Sequence, residues 1–132
     1  MLDPNGSLYR RLGGYDAIAA FVDELLQRLV DDPQIGVYWK GKCKDSMKRD
    51  RQLLVDFLGH ATGGLIQYTG RDMKTSHEGL GITEGEWTVF AQHAIDVLDD
   101  FGVRETEKSE VLALTGSFEK DIVEAREVPG AD

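Results

Sequence analysis

One histidine, His77, lies in a short segment between two glycine-marked breaks, Gly63-Gly64 before it and Gly79 to Gly81 after it. On both sides of this segment, long stretches of the chain carry apolar residues at helical spacing. Because glycine ends helices and permits sharp turns, only a short helical turn, from about Met73 to His77, fits between the breaks. The sequence therefore predicts long helices and one histidine on a separate short turn.

On such a turn Met73 and His77 share one face, because they are four residues apart. One imidazole nitrogen can then point inward, while the other donates to a backbone carbonyl or a carboxylate that fixes the tautomer. A neutral imidazole in this position is suited to be a single axial ligand of iron. The alternative is a histidine on a mobile loop with no ligand role, and the turn taken alone favours this alternative.

The remaining pattern predicts an all-α fold. No segment alternates with period two, and no hairpin turn or internal repeat is present. Ser7 is expected to cap a short first helix that ends at Gly13-Gly14, and the capping box of Thr83 and Glu86 starts the helix after the histidine segment. The long helices are expected at 15–30, from Asp45 or Ser46 to about 62, from 83 to about 101, and from about 106 to 126.

Composition and charge narrow the class of protein. A chain of 132 residues with 41% hydrophobic and 30% charged residues is typical of one globular domain. No apolar run approaches the roughly 20 residues that span a bilayer, and no signal peptide is recognised, so we expect a cytoplasmic protein. The net charge of −9 argues against nucleic acid or an anionic membrane as a partner. We expect a flexible N-terminus at 1–6, one domain at 7–126 and a disordered tail at 127–132.

Three histidines also allow a different metal site, in which His60, His77 and His93 bind zinc or a dinuclear centre with nearby carboxylates. Their spacing argues against it, because neither Glu-x-x-His nor His-x-x-x-His occurs. We expect His60 and His93 to lie on helix surfaces or partly buried, without a ligand role. Cys43, the single cysteine, cannot form an internal disulfide and is interpreted as an incidental surface thiol.

The residues around His77 closely resemble the haem-ligand segment of the truncated haemoglobins, group I in particular. The matching residues are Gly63-Gly64, Tyr68-Thr69-Gly70, Met73-Lys74, His77 and Gly79-Leu80-Gly81-Ile82. The phrase from Tyr9 to Gly14 also resembles the start of this family, and the resemblance covers about residues 7–122. It implies a globin-like, two-over-two helical sandwich with a shortened first helix and a loop-like proximal helix, haem as the cofactor, and His77 as the proximal iron ligand.

The resemblance also implies the haem contacts. Tyr38-Trp39 occupies the place of an aromatic pair that packs against the haem face in the family. We expect Tyr38 and Phe57 on the far side of the haem. The other expected contacts are Tyr68, Met73, Lys74, Ile82, Trp87, Phe90 and Ile122. Because a haem edge carries two propionates, Lys74 or a basic residue among 48–51 is a candidate partner for their charge.

The distal pocket is where the sequence departs from its relatives. Group I members usually carry a tyrosine in the helix after the first Gly-Gly, where its hydroxyl donates to bound oxygen, and a count back from Asp31-Asp32 puts Leu25 there. A similar count puts Leu54 and Asp50 at positions that often hold polar groups. The expected distal residues are Leu25, Tyr38, Asp50 and Leu54. A hydrogen-bond donor would have to come from Tyr38, Trp39, Gln52 or water, or be absent.

Two classes of function follow. The first is a haem protein that reversibly binds oxygen, nitric oxide or carbon monoxide in a largely apolar pocket, as in oxygen transport, with an unidentified reductase as partner. It could also be an enzyme that detoxifies nitric oxide or acts as a peroxidase. The second is a cofactor-free helical domain that binds another protein. We expect a monomer or a weak dimer in either case.

Overall fold

A computed structural model describes residues 6–124, and this part of the chain contains no β-strand. Its helices are α1 (Leu8–Leu12), α2 (Tyr15–Asp31), α3 (Lys44–Ala61), α4 (Met73–His77), α5 (Glu84–Asp100), α6 (Glu105–Gly116) and α7 (Glu119–Ile122), with a 3₁₀ turn (Gly36–Trp39) between α2 and α3. The all-α prediction is confirmed. Apart from Gly6, the expected flexible ends at 1–6 and 127–132 lie outside the described residues.

Helix α2 is central to the packing, because it contacts both α3 and α5, while α5 contacts α6 and α4 contacts α7. These contacts give the expected two-over-two arrangement of α2 and α3 with α5 and α6. The buried side chains form two clusters. Where α2 meets α5 the core contains Leu25, Leu29, Ile35, Ala94 and Val97, and where α2 meets α3 it contains Ile18, Val22 and Val55. Burial of each valine, leucine or isoleucine side chain among them stabilises the fold by roughly 1.5–3 kcal/mol.

The helix ends agree with the local signals. Ser7 Oγ accepts from the backbone N–H of Arg10 at 3.2 Å, and Gly13 ends α1 with φ +113°, a conformation that favours glycine. At the start of α5, both hydrogen bonds of the capping box between Thr83 and Glu86 are present. The cap predicted at Asp45 or Ser46 is the exception and is wrong, because Cys43 has the extended backbone of an N-cap and α3 begins at Lys44.

The prediction of a single last helix from about 106 to 126 is wrong, because α6 ends at Gly116 and α7 begins at Glu119. Gly116 and Ser117 are weak helix formers, and the Ser117 hydroxyl donates to the carbonyl of Leu114, which competes with the helical pattern. Phe118 lies within the break and packs against Phe57, with ring centroids 5.1 Å apart. The break therefore turns an aromatic ring towards α3.

Within residues 6–124, no helix has both the length and the apolar character needed to cross a membrane.

Candidate functional site

A cavity of about 370 Å³ lies between the helices and is lined mostly by apolar side chains. Nearly every residue proposed for the site from the sequence lines it. These residues are Leu25, Tyr38, Asp50, Leu54, Phe57, Tyr68, Met73, His77, Ile82, Trp87, Phe90 and Ile122. The exposed Lys74 does not line the cavity, and neither do Gln52 or the basic residues at 48, 49 and 51.

His77 ends α4 and lies half-buried in the cavity wall. Its Nδ1 atom is 2.9 Å from the carbonyl oxygen of Met73. Because a carbonyl oxygen only accepts, Nδ1 carries the proton, and in the neutral ring Nε2 keeps its lone pair. The hydroxyl of Ser76, which donates to the same carbonyl, lies 2.9 Å from Nδ1 as well. The turn thus fixes a tautomer whose Nε2 can bind a metal ion.

The other two histidines lie elsewhere and have partners. His93 on α5 places Nε2 2.7 Å from a carboxylate oxygen of Asp32, at the end of α2. His60 on α3 places Nδ1 3.0 Å from the carbonyl oxygen of Ile66. Among residues 6–124, no three side chains of the His, Cys, Asp and Glu types come together in a way that could hold a metal ion. Of the three histidines, His77 is the one that lines the cavity.

Aromatic rings form much of the cavity wall. Phe57 lies edge-on to Tyr68, with ring centroids 5.2 Å apart, and also contacts Phe118. Trp87 and Phe90 pack together on α5, again with centroids 5.2 Å apart. The hydroxyl of Tyr68 points away from these rings to the backbone and donates to the carbonyl of Arg71. Such walls are suited to a large, flat, apolar ligand.

The Tyr38 hydroxyl is held by a carboxylate. It donates to Glu86 Oε1 at 2.7 Å, and the same oxygen accepts from the backbone N–H of Thr83 in the capping box. Burial, together with the neighbouring carboxylate, raises the pKa of Tyr38 to about 12. The backbone N–H of Thr83 and the Tyr38 hydroxyl lower the pKa of Glu86. Tyr38 is therefore a neutral phenol whose single proton is already donated.

The apolar character of the expected distal region comes from two leucines of α2 as well as Leu54. Leu25 lines the cavity but is only 2% exposed and belongs to the core beside α5. Leu26 also lines the cavity and is less buried, and the sequence count did not identify it. Gln52 was wrongly considered as a donor, because its amide lies on the outer face, where it bonds Tyr15 and Asp56.

Besides Glu86, two charged side chains line the cavity. Lys42, in the loop before α3, forms an ion pair with Asp50 of α3, and both residues are partly exposed. The expected propionate partner Lys74 does not line the cavity, and Arg51 pairs with Asp23 instead. The sequence analysis did not identify Lys42, because no local motif indicates that it lines the cavity.

Known proteins agree with this architecture. The sequence profile described as "Bacterial-like globin" matches residues 7–124. The chain belongs to the bacterial-like globin family. This globin is 33% identical over 116 residues to the group 1 truncated haemoglobin GlbN of Mycolicibacterium paratuberculosis, covering 88% of this chain and 83% of the relative. It is 30% identical to the group 1 truncated haemoglobin LI410 of Chlamydomonas moewusii, covering 96% and 73% of the two chains.

A solved structure shows the same fold. The 2/2 haemoglobin of a Synechococcus species, in the cyanomet state with covalently attached haem, superposes with a TM-score of 0.81 at 24% identity, covering 89% of this globin and 98% of that chain. The predicted family, a truncated (2/2) haemoglobin most like group I, is confirmed, and so is haem as the cofactor. The cavity fits haem, because aromatic walls enclose an apolar space that His77 lines with one nitrogen free to bind iron. These findings favour the haem protein over the cofactor-free domain.

Proposed function

We propose that this globin binds haem iron through Nε2 of His77 and reversibly binds a diatomic gas in the apolar part of the cavity. The observation that carries the proposal is the hydrogen bond from His77 Nδ1 to the Met73 carbonyl, because it fixes both the tautomer and the orientation of the ring. Haem supplies an iron atom with one coordination position open to a gas. The chain supplies the position of the imidazole, the exclusion of water and the polarity around the gas.

The side chains that line the proposed gas-binding part of the cavity are mostly apolar. Leu26 and Leu54 offer no hydrogen bond, and the Tyr38 hydroxyl donates to Glu86. A hydrogen bond to bound oxygen contributes roughly 0.5–3 kcal/mol, or up to about a hundredfold in affinity, and carbon monoxide gains less from it. We therefore expect rapid oxygen loss and fast autoxidation. These properties favour transport, sensing or nitric oxide binding over oxygen storage.

The proposal is tested by absorption spectra of the purified globin with haem. His77→Ala should abolish the native ferrous and carbon monoxide spectra, because His77 Nε2 would be lost as the ligand. His60→Ala and His93→Ala are matched controls, since both histidines bond elsewhere, and they should keep the native spectra. An unchanged spectrum in His77→Ala, with loss in either control, would contradict the proposal.

Several further properties belong to the same proposal. We infer that residues 7–126 form the globin domain, that the globin works in the cytoplasm as a monomer or weak dimer, and that an unidentified reductase keeps the iron ferrous. Oxygen, nitric oxide and carbon monoxide are all small enough for the cavity. Comparing the affinities of the three gases in the ferrous globin would rank them.

A further inference from the structure

The end of the described chain returns to the segment that carries His77. Glu124 is positioned after α7, and its carboxylate accepts two backbone hydrogen bonds, one on each oxygen. The N–H of Gly79 lies 2.9 Å from Oε2, and the N–H of Gly81 lies 2.8 Å from Oε1. We call these two hydrogen bonds the Glu124 clasp. The backbone adds a third bond, because the N–H of Glu124 donates to the carbonyl of Ile82 at 2.9 Å.

The backbone of this segment is shaped to receive an anion. Gly79 and Gly81 have φ of +85° and +68°, in the left-handed region that favours glycine. Alternating conformations of this kind turn neighbouring N–H groups towards one point and create a concave anion-binding surface. The carboxylate of Glu124 fills that surface. The N–H of Gly79, followed by that of Gly81, lowers the pKa of Glu124, so the group is ionised at neutral pH.

The segment needs such an anchor because little else holds it. Helix α4 has only five residues, and an isolated helix of that length is not stable in water. Gly79, Leu80 and Gly81 are exposed, so burial contributes little to their position. Yet Leu80 and Ile82 line the cavity directly after His77. The position of the histidine thus depends on contacts from outside its own segment, and α7 packs against α4.

We propose that Glu124 is a positioning residue for His77. The clasp fixes the backbone from Gly79 to Gly81, and this fixes how far α4 and its imidazole project into the cavity. Glu124 does not itself touch the metal or the gas, and its effect passes through the main chain. The inference rests on the proposed role of His77 as the iron ligand.

The test compares Glu124→Ala, Glu124→Gln and a control on α7, Glu119→Gln, in the haem-loaded ferrous globin. The side-chain oxygen of glutamine can accept a hydrogen bond from one of the two backbone N–H groups, but its NH₂ group is a donor and cannot accept from the other. Two readouts are used: the iron–histidine stretching band in resonance Raman spectra, and hydrogen exchange of the amides of Gly79 and Gly81. A purely structural role for Glu124 would not move the Raman band.

Glu124→Ala should shift and broaden the stretching band, and the two amides should exchange about tenfold faster or more, because each loses a hydrogen bond to a charged group. Glu124→Gln should lie between Glu124→Ala and the native globin, and Glu119→Gln should match the native globin. If Glu124→Ala does not fold, Glu124→Gln alone decides. A native band in the Glu124 variants would overturn the inference.

The outcome for His77 is measured separately. If His77→Ala keeps the native band, the proposed ligand is wrong, whatever the Glu124 variants do. If His77→Ala loses the band while the Glu124 variants keep it and exchange at native rates, the ligand stands and the positioning role of Glu124 is overturned. Loss of the iron–histidine band in His77→Ala, together with a graded shift of that band in the Glu124 variants, would support both the ligand role of His77 and the positioning role of Glu124.

Discussion

At the scale of single residues, the two neighbouring leucines of α2 show what a sequence count can and cannot resolve. The count from Asp31-Asp32 identified Leu25, which does line the cavity. The structure adds Leu26, whose side chain is less buried than that of Leu25. Adjacent residues of a helix point about 100° apart, so an error of one position in a count changes which face is chosen.

Leu26→Tyr should slow oxygen dissociation, because it introduces a hydroxyl donor into an apolar part of the cavity that retains some space. A gain of roughly 0.5–3 kcal/mol corresponds to slowing by about twofold to a hundredfold. Leu25→Tyr, in contrast, adds volume to a closely packed core and should lower the free energy of unfolding by roughly 1–3 kcal/mol. Stopped-flow oxygen dissociation and urea denaturation measure the two effects.

Tyr38→Phe is the informative companion to these variants. We expect oxygen to dissociate rapidly from the native globin. Because the substitution removes a hydroxyl that already donates to Glu86, the dissociation rate of the variant should lie within about twofold of the native rate. A native rate that is slow and is accelerated by Tyr38→Phe would show that the Tyr38 hydroxyl turns to the gas, and the apolar interpretation of the pocket would then be wrong.

At the scale of elements, the parts that were predicted are those with a local signal. The turn from Met73 to His77 was bounded by glycines, and the capping box of Thr83 and Glu86 marked the start of α5, so both were found. The break after Gly116 was missed, because the apolar spacing continues through it. The Glu124 clasp was missed for a different reason, since it joins groups 43 and 45 residues apart and no local pattern reports such a contact.

Thr83→Ala should destabilise the globin, because it removes the side-chain acceptor of the capping box. Loss of an N-cap costs roughly 0.5–2 kcal/mol. Thr88→Ala is a matched control on the same helix, where the Thr88 hydroxyl bonds the Glu84 carbonyl on the exposed face and alanine favours the helix. Urea denaturation of the haem-loaded globin compares the two, and equal midpoints would mean that the cap contributes nothing measurable.

At the scale of the whole molecule, a charged cluster joins the first helix to α6. Arg11 of α1 forms ion pairs with Glu107 at 2.8 Å and with Glu110, and Arg104 also bonds Glu107. Glu107 is buried, at 3% exposure, so its charge needs these partners. The hydrogen bond from Arg11 lowers the pKa of Glu107, and the hydrogen bond from Arg104 lowers it further by a smaller amount. These ion pairs therefore hold α1 against α6 only while the carboxylate of Glu107 is ionised.

The stability of the globin should accordingly fall in acid. A carboxylate whose pKa is lowered in the folded state stabilises the protein above its unfolded pKa of about 4.3, and this contribution is lost as the pH falls through the folded pKa. Glu107→Gln should be less stable than the native globin at pH 7, and the difference should shrink towards pH 3. Urea denaturation across this range measures the trend.

Glu105→Gln on the same helix is the control for this pH series. Its side chain is 83% exposed and lies 3.7 Å from Lys108, so its loss should change little at any pH. Both variants share any loss of haem in acid. A gap between native and Glu107→Gln that stays constant with pH would contradict the role given to the ionised carboxylate.

The carboxylate of Glu86, which accepts from both Tyr38 and Thr83, constrains how the pocket can evolve. One oxygen atom serves both the start of α5 and the Tyr38 hydroxyl, so we expect the effects of substitutions at positions 38 and 86 to be non-additive. Substitution of Tyr38 alone leaves the Glu86 carboxylate facing the apolar cavity. Substitution of Glu86 alone leaves the Tyr38 hydroxyl without its acceptor and removes one hydrogen bond from the start of α5. A substitution at either position therefore changes the hydrogen bonding of the other, so selection on the chemistry of the pocket acts on the two positions together.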